Sequence, residues 1–151
     1  MSDTRTQALV YRRDPDAQQE TWRIFCGDVN VGMIAIRSGI PHDEDPWGWN
    51  CGFYPGSEPR EHLSGTAKTF KKARADFKAA WRVFSAKRTE ADYEAWRDQR
   101  DQTAWKYAMW DAGLKMPTQM RDGVARCFCG ATITISSSMW SHARTHHRQT
   151  A

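Results

Sequence analysis

Two thiols and two imidazoles stand close together late in the chain: Cys127 and Cys129, then His142 and His146. Their spacing is Cys-x-Cys-x12-His-x3-His. Four such donors, with no carboxylate among them, are the ligand set of a tetrahedral zinc site of the closed, structural kind. His147 offers an alternative fourth ligand at His-x4-His. His146 is preferred, because residues four apart on a helix face the same side. In a reducing compartment, cysteines beside histidines favour metal over a disulfide. The other two cysteines, Cys26 and Cys51, fall in strand-like segments and read as small core residues.

The same segment resembles zinc fingers of the C2H2 type. Three residues separate Cys129 from Ile133, five separate Ile133 from Met139, and two separate Met139 from His142, as in that family. The resemblance implies a ββα module with Ile133 and Met139 as its apolar plug and Ser137 or Ser138 as the helix cap. Metal binding would then supply most of its folding free energy. The family spaces its thiols more widely, by about two to four residues. The single residue between Cys127 and Cys129 makes a tighter knuckle, which Gly130 eases. The resemblance also places Ile135, Ser138 and Ser141 towards bases. None is the Arg or Asn of the strong bidentate base contacts. What remains for nucleic acid is phosphate contact from Arg126, Arg144 and Arg148, with little sequence preference.

The elements that would carry this segment change character along the chain. Residues 8–11, 21–26, 29–36 and 47–54 read as strands, with Gly27-Asp28 as a hairpin turn between the second and third. Phe70, Ala73, Phe77, Ala80, Trp81 and Phe84 recur at three and four, one face of a helix capped by Thr69. A second helix begins at Thr89, with Asp92 in a capping-box variant, and stops at Gly113. The expected fold is α+β: three to four antiparallel strands, two helices, and a ββα-like finger. The divisions are 1–112, a linker at 113–125, and 126–151. Gly65-x-Ala67-x-Thr69-Phe70 after a curved sheet resembles antitoxins of the HicB type. Residues 47–56 resemble segments of small bacterial proteins. Neither likeness brings a function with it.

The net charge of +4 is unevenly placed: −3 over residues 1–60, +4 over 61–100 and +3 over 121–151. Lys68, Lys71, Lys72, Arg74, Lys78, Arg82, Lys87 and Arg88 form a basic flank, which is either a phosphate-binding stripe or a solvated face. No apolar run approaches the ~18 residues of a membrane span, and the polar start is not a secretory signal, so a cytoplasmic location is expected. His42-Asp43-Glu44-Asp45 reads as a solvated acidic loop, and His62 as a loop residue with no evident partner. Trp105 shares no face with Trp96 and Trp110 and is the tryptophan expected to be exposed. No phosphate loop, nucleophile elbow or paired carboxylates appear, so no enzyme is expected. The leading expectation is a small zinc-finger protein that binds DNA or RNA, or acts in regulation. The alternative is a protein–protein adaptor, docking through Trp140 and Met139 or the sheet, in which zinc only folds the tail. An enzyme with its site in the acidic loop is the third and weakest.

Overall fold

The computed structural model describes residues 4–135 and 137–150, with backbone alone at 5, 137, 138 and 147–150. It forms two compact units, Met1–Trp96 and Arg97–Ala151.

The first unit grows from a hairpin. β2 (Thr21–Cys26) and β3 (Val29–Ile36) pair antiparallel, with Cys26 opposite Val29. Gly27 sits at φ +61° in the first central turn position, the place that a type II′ turn reserves for glycine. β1 (Leu9–Arg13) joins on one side, and β4 (Trp47–Cys51) and β5 (Leu63–Ala67) on the other. The five strands lie in sequence order, every neighbour antiparallel. β5 goes beyond the expected three to four strands. In Leu-Ser-Gly-Thr-Ala only Ala67 is buried, so the segment has no apolar alternation by which to recognise it.

Ile24, Cys26, Val29, Val31, Ile34 and Cys51 point into the core with almost no exposure. α1 (Phe70–Ala86) closes that face with Ala73, Phe77, Ala80, Trp81 and Phe84, the stripe read from periodicity. The Thr69 hydroxyl accepts from the Lys72 N–H at 3.1 Å, as its capping position requires. Gly32 makes the close packing possible. A Cβ there would lie 2.6 Å from the Phe77 ring and 2.2 Å from the Asn50 carbonyl oxygen. Arg88, in the connection to α2 (Glu90–Asp111), is buried: it donates to the Gly56 carbonyl and to Glu61, and stacks 4.6 Å from the Phe84 ring centre.

α2 starts as expected, with the Thr89 N–H donating to the Asp92 carboxylate at 2.8 Å. It stops at Gly113, φ +71°, where Leu114 N–H reaches the Met109 carbonyl and Gly113 N–H the Trp110 carbonyl, both at 2.9 Å. This is a Schellman stop. Tyr93 belongs to the core of the first unit, and Trp105 and Met109 to that of the second.

In the second unit β6 (Val124–Arg126) and β7 (Thr132–Thr134) pair antiparallel and α3 (Ser137–Thr150) follows. The division between the units falls inside α2, earlier than the 113–125 segment. That segment carries a one-turn helix at Pro117–Gln119 and the first residues of β6. Among the described residues no helix is long and apolar enough to cross a membrane.

Candidate metal centre

Cys127 follows β6 directly and enters a tight turn. Its N–H donates to the Ala131 carbonyl and the Gly130 N–H returns to the Cys127 carbonyl, each at 2.9 Å. Gly130 closes this turn at φ +92°, a value that side chains disfavour, which accounts for the glycine behind the one-residue knuckle. On α3, His142 and His146 lie one turn apart with ring centres 4.7 Å from each other.

The four side chains meet. Cys127 Sγ lies 3.3 Å from His146 Nε2, Cys129 Sγ 3.5 Å from His142 Nε2, and the two Nε2 atoms are 3.1 Å apart. All four donor atoms fall within 4.8 Å of one another. A regular tetrahedron with Zn–S of about 2.3 Å and Zn–N of about 2.0 Å has edges of roughly 3.3 Å between nitrogens and roughly 3.5 Å between nitrogen and sulfur. The two sulfur–nitrogen contacts and the nitrogen–nitrogen contact match these edges to a few tenths of an ångström, within a group that spans up to 4.8 Å. The group could hold a metal ion.

The surroundings favour the ligand form of His146. Burial, and then the charge of His142, pushes the His146 imidazole below its ordinary pKa, towards the neutral ring a metal requires. Phe128 lies against His146, ring centres 4.6 Å apart. Cys127 is 2% exposed, whereas Cys129 faces solvent. The indole N–H of Trp105 points at Cys127 Sγ across 3.4 Å.

Trp105 therefore reverses the sequence expectation: it is 2% exposed, while Trp110 is 80% exposed. The reason is a second apolar face on α2. Trp105 and Met109 pack with Ala125, Cys127, Ile133, Met139 and Ala143, a face distinct from that of Tyr93 and Trp96. Met109, four residues after Trp105, was the signal in the sequence. Ile133 and Met139 are buried in one cluster with Trp105 and Met109 of α2. Met139, 4% exposed, is too deeply buried to dock a partner.

Comparison with protein-family models, with curated proteins and with solved structures gave no match. The reading of the site rests on its own donors and distances.

The residues assigned to phosphate contact divide. Arg126 is exposed on β6. Arg144 stands 2.9 Å from Asp98 in an ion pair. The side chains of Arg148 and His147, like the capping hydroxyls of Ser137 and Ser138, lie outside the described residues. Ile135 and Ser141, two of the positions placed towards bases, are exposed. On the basic flank, Lys72 pairs with Asp76 at 2.8 Å, Arg74 stacks on Tyr11 at 4.8 Å, and Arg88 is buried. Lys68, Lys71, Lys78, Arg82 and Lys87 remain exposed.

Two other candidates carry less chemistry. In the acidic loop Arg37 reaches Glu44 at 3.6 Å and the Asp45 carbonyl at 2.9 Å. The loop forms no ligand cluster among the described residues. His62 is not the isolated loop residue expected. Its Nε2 lies 2.9 Å from Ser57 Oγ and its ring 5.9 Å from Phe84. The Ser57 hydroxyl donates to the Phe53 carbonyl, so its proton is not directed at His62 as an activated nucleophile would require.

Proposed function

We propose that this chain is a zinc-folded, non-enzymatic protein that binds nucleic acid through phosphate contacts. The observation that carries the reading is the convergence of the donor atoms of Cys127, Cys129, His142 and His146 to within 4.8 Å, with three of the contacts between 3.1 and 3.5 Å. Two thiolates and two imidazoles suit zinc over magnesium or calcium, which prefer oxygen. Four protein ligands leave no position for substrate, so zinc would act as a staple. The order β6–β7–α3, with the thiols in the turn and the imidazoles on the helix, supports kinship with C2H2-type fingers. A cytoplasmic, reducing setting suits thiols held for metal.

The nucleic-acid reading rests on charge. Lys71, Lys78 and Arg82 recur along one exposed side of α1, and Arg126 is exposed on β6. These are phosphate partners without base-reading geometry, so binding would be salt-sensitive and sequence-tolerant.

Protein docking is the second reading, supported by Tyr107 (67% exposed) and Trp110 (80% exposed), three apart on α2.

The test has two stages. Zinc content is measured for the wild type and for Cys127→Ser with Cys129→Ser, purified without added metal. One zinc per chain, lost in the variant, is expected; zinc in neither discards the reading. DNA binding by anisotropy then follows across a salt series. A steep fall with salt, flattened in Lys71→Glu with Lys78→Glu and Arg82→Glu, supports the first function. Salt-independent capture of one protein through Trp110 supports the second.

A further inference from the structure

Trp105 reaches the metal centre from α2, an element outside the Cys-to-His segment. A buried indole N–H needs an acceptor, and the one it has is Cys127 Sγ at 3.4 Å. The sulfur has the matching need. Cys127 is 2% exposed, so water supplies little to it, and a directed donor fixes the orientation of a sulfur in that position. Cys129 faces solvent and can take its hydrogen bonds from water. The indole is held in place by its neighbours. Trp140 meets it edge-on, centres 6.2 Å apart at 82°, and Lys106 covers Trp140 at 5.0 Å. Met109, one turn further along α2, is fully buried in the same cluster.

We propose that Trp105 is a positioning residue for the metal. Its N–H holds the Cys127 sulfur in the ligating direction, which makes the last turns of α2 part of the metal-binding module. This rests on the reading of the four-residue cluster as a metal site. A segment cut to the Cys-to-His region alone would lack this donor and bind metal more weakly than the full chain.

The experiment titrates the full-length protein with cobalt(II), then displaces the cobalt with zinc(II). Wild type, Trp105→Phe and Met109→Ala are compared. Trp105→Phe keeps a ring in place and removes only the N–H. It is expected to weaken metal binding by roughly 10–100-fold, the scale for losing a partner of a metal ligand. It should also move the sulfur-to-cobalt charge-transfer band to longer wavelength, because the sulfur lone pair loses its donor. Met109→Ala damages the same packing without touching the sulfur, so it should lower thermal stability and leave the band in place. Unchanged affinity and an unmoved band in Trp105→Phe overturn the proposal. If that variant does not fold, the wild-type indole proton decides. Slower exchange and a shifted Trp105 N–H resonance on zinc loading are expected, and no change overturns the proposal. Wild type that takes up no cobalt overturns the metal reading itself, an outcome distinct from the others.

Discussion

The Nε of Arg144 stands 2.9 Å from Oδ1 of Asp98, so one of the cations assigned to phosphate contact already faces an acid within its own unit. A half-exposed pair of this kind is worth little to stability, but it lowers the positive field that Arg144 can offer. Asp98→Asn should therefore strengthen DNA binding and steepen its salt dependence by about one phosphate contact. Arg144→Gln should change either quantity much less than Arg126→Gln. Anisotropy titrations at several salt concentrations measure both.

Arg88 joins three groups of the first unit: the Gly56 carbonyl, the Glu61 carboxylate and the Phe84 ring. Arg88→Met should destabilise the protein by about 2–3 kcal/mol, the scale of lost charge-assisted hydrogen bonds. The Glu61 carboxyl is held below its ordinary pKa, first by the Glu58 N–H and then by Arg88. Its folded pKa lies below the unfolded one. Its contribution is therefore present above the ordinary glutamate range and is lost as pH falls through the folded value. Urea unfolding from neutral to acid pH should show this loss in the wild type and a flatter dependence in Arg88→Met.

The four thiols should differ sharply in reactivity. Cys26, Cys51 and Cys127 are buried, and burial pushes the Cys51 pKa up to about 12; Cys129 alone faces solvent. Iodoacetamide on the native, metal-free protein should modify Cys129 first, and zinc should protect it. Peptide mapping by mass spectrometry locates the label. Modification of Cys51 before Cys129 would contradict the arrangement.

Metal removal should act on one unit. The core around Phe77 and Ile34 and the core around Met109 and Ile133 are separate clusters. A strong chelator should cost the protection of β6, β7 and α3 in hydrogen exchange while β2, β3 and α1 keep theirs. Cys127→Ser should reproduce the pattern without chelator. Uniform loss across both units would refute it.

The parts of the fold legible in the sequence were those with a clear period. The α1 stripe from Phe70 to Phe84, the Gly27 turn and the Gly113 stop all follow from spacing and residue type. So does the meeting of Cys127, Cys129, His142 and His146, because a turn and a helix turn fix short-range geometry. β5 escaped because Ser64, Gly65 and Thr66 offer it no apolar face. Trp105 escaped for a different reason. Off the face of Trp96 and Trp110 it reads as exposed, whereas Tyr93 and Trp105 are buried on different faces of α2, in different cores. A helix that serves two cores has no single hydrophobic period to read.

The sequential order of the sheet has a consequence for how the protein is made. Each strand pairs with the strand synthesised just before it, and α1 follows as the cover, so every strand pairing in this sheet is short in sequence. During synthesis the first unit can therefore assemble before Cys127 has been added, since domains fold as units from the N-terminus. The later unit would gather its thiols and imidazoles last, after the first unit has folded. Ion capture would then be the closing step of biogenesis, and scarcity of the ion would leave a chain complete in its sheet and unfinished at its tail.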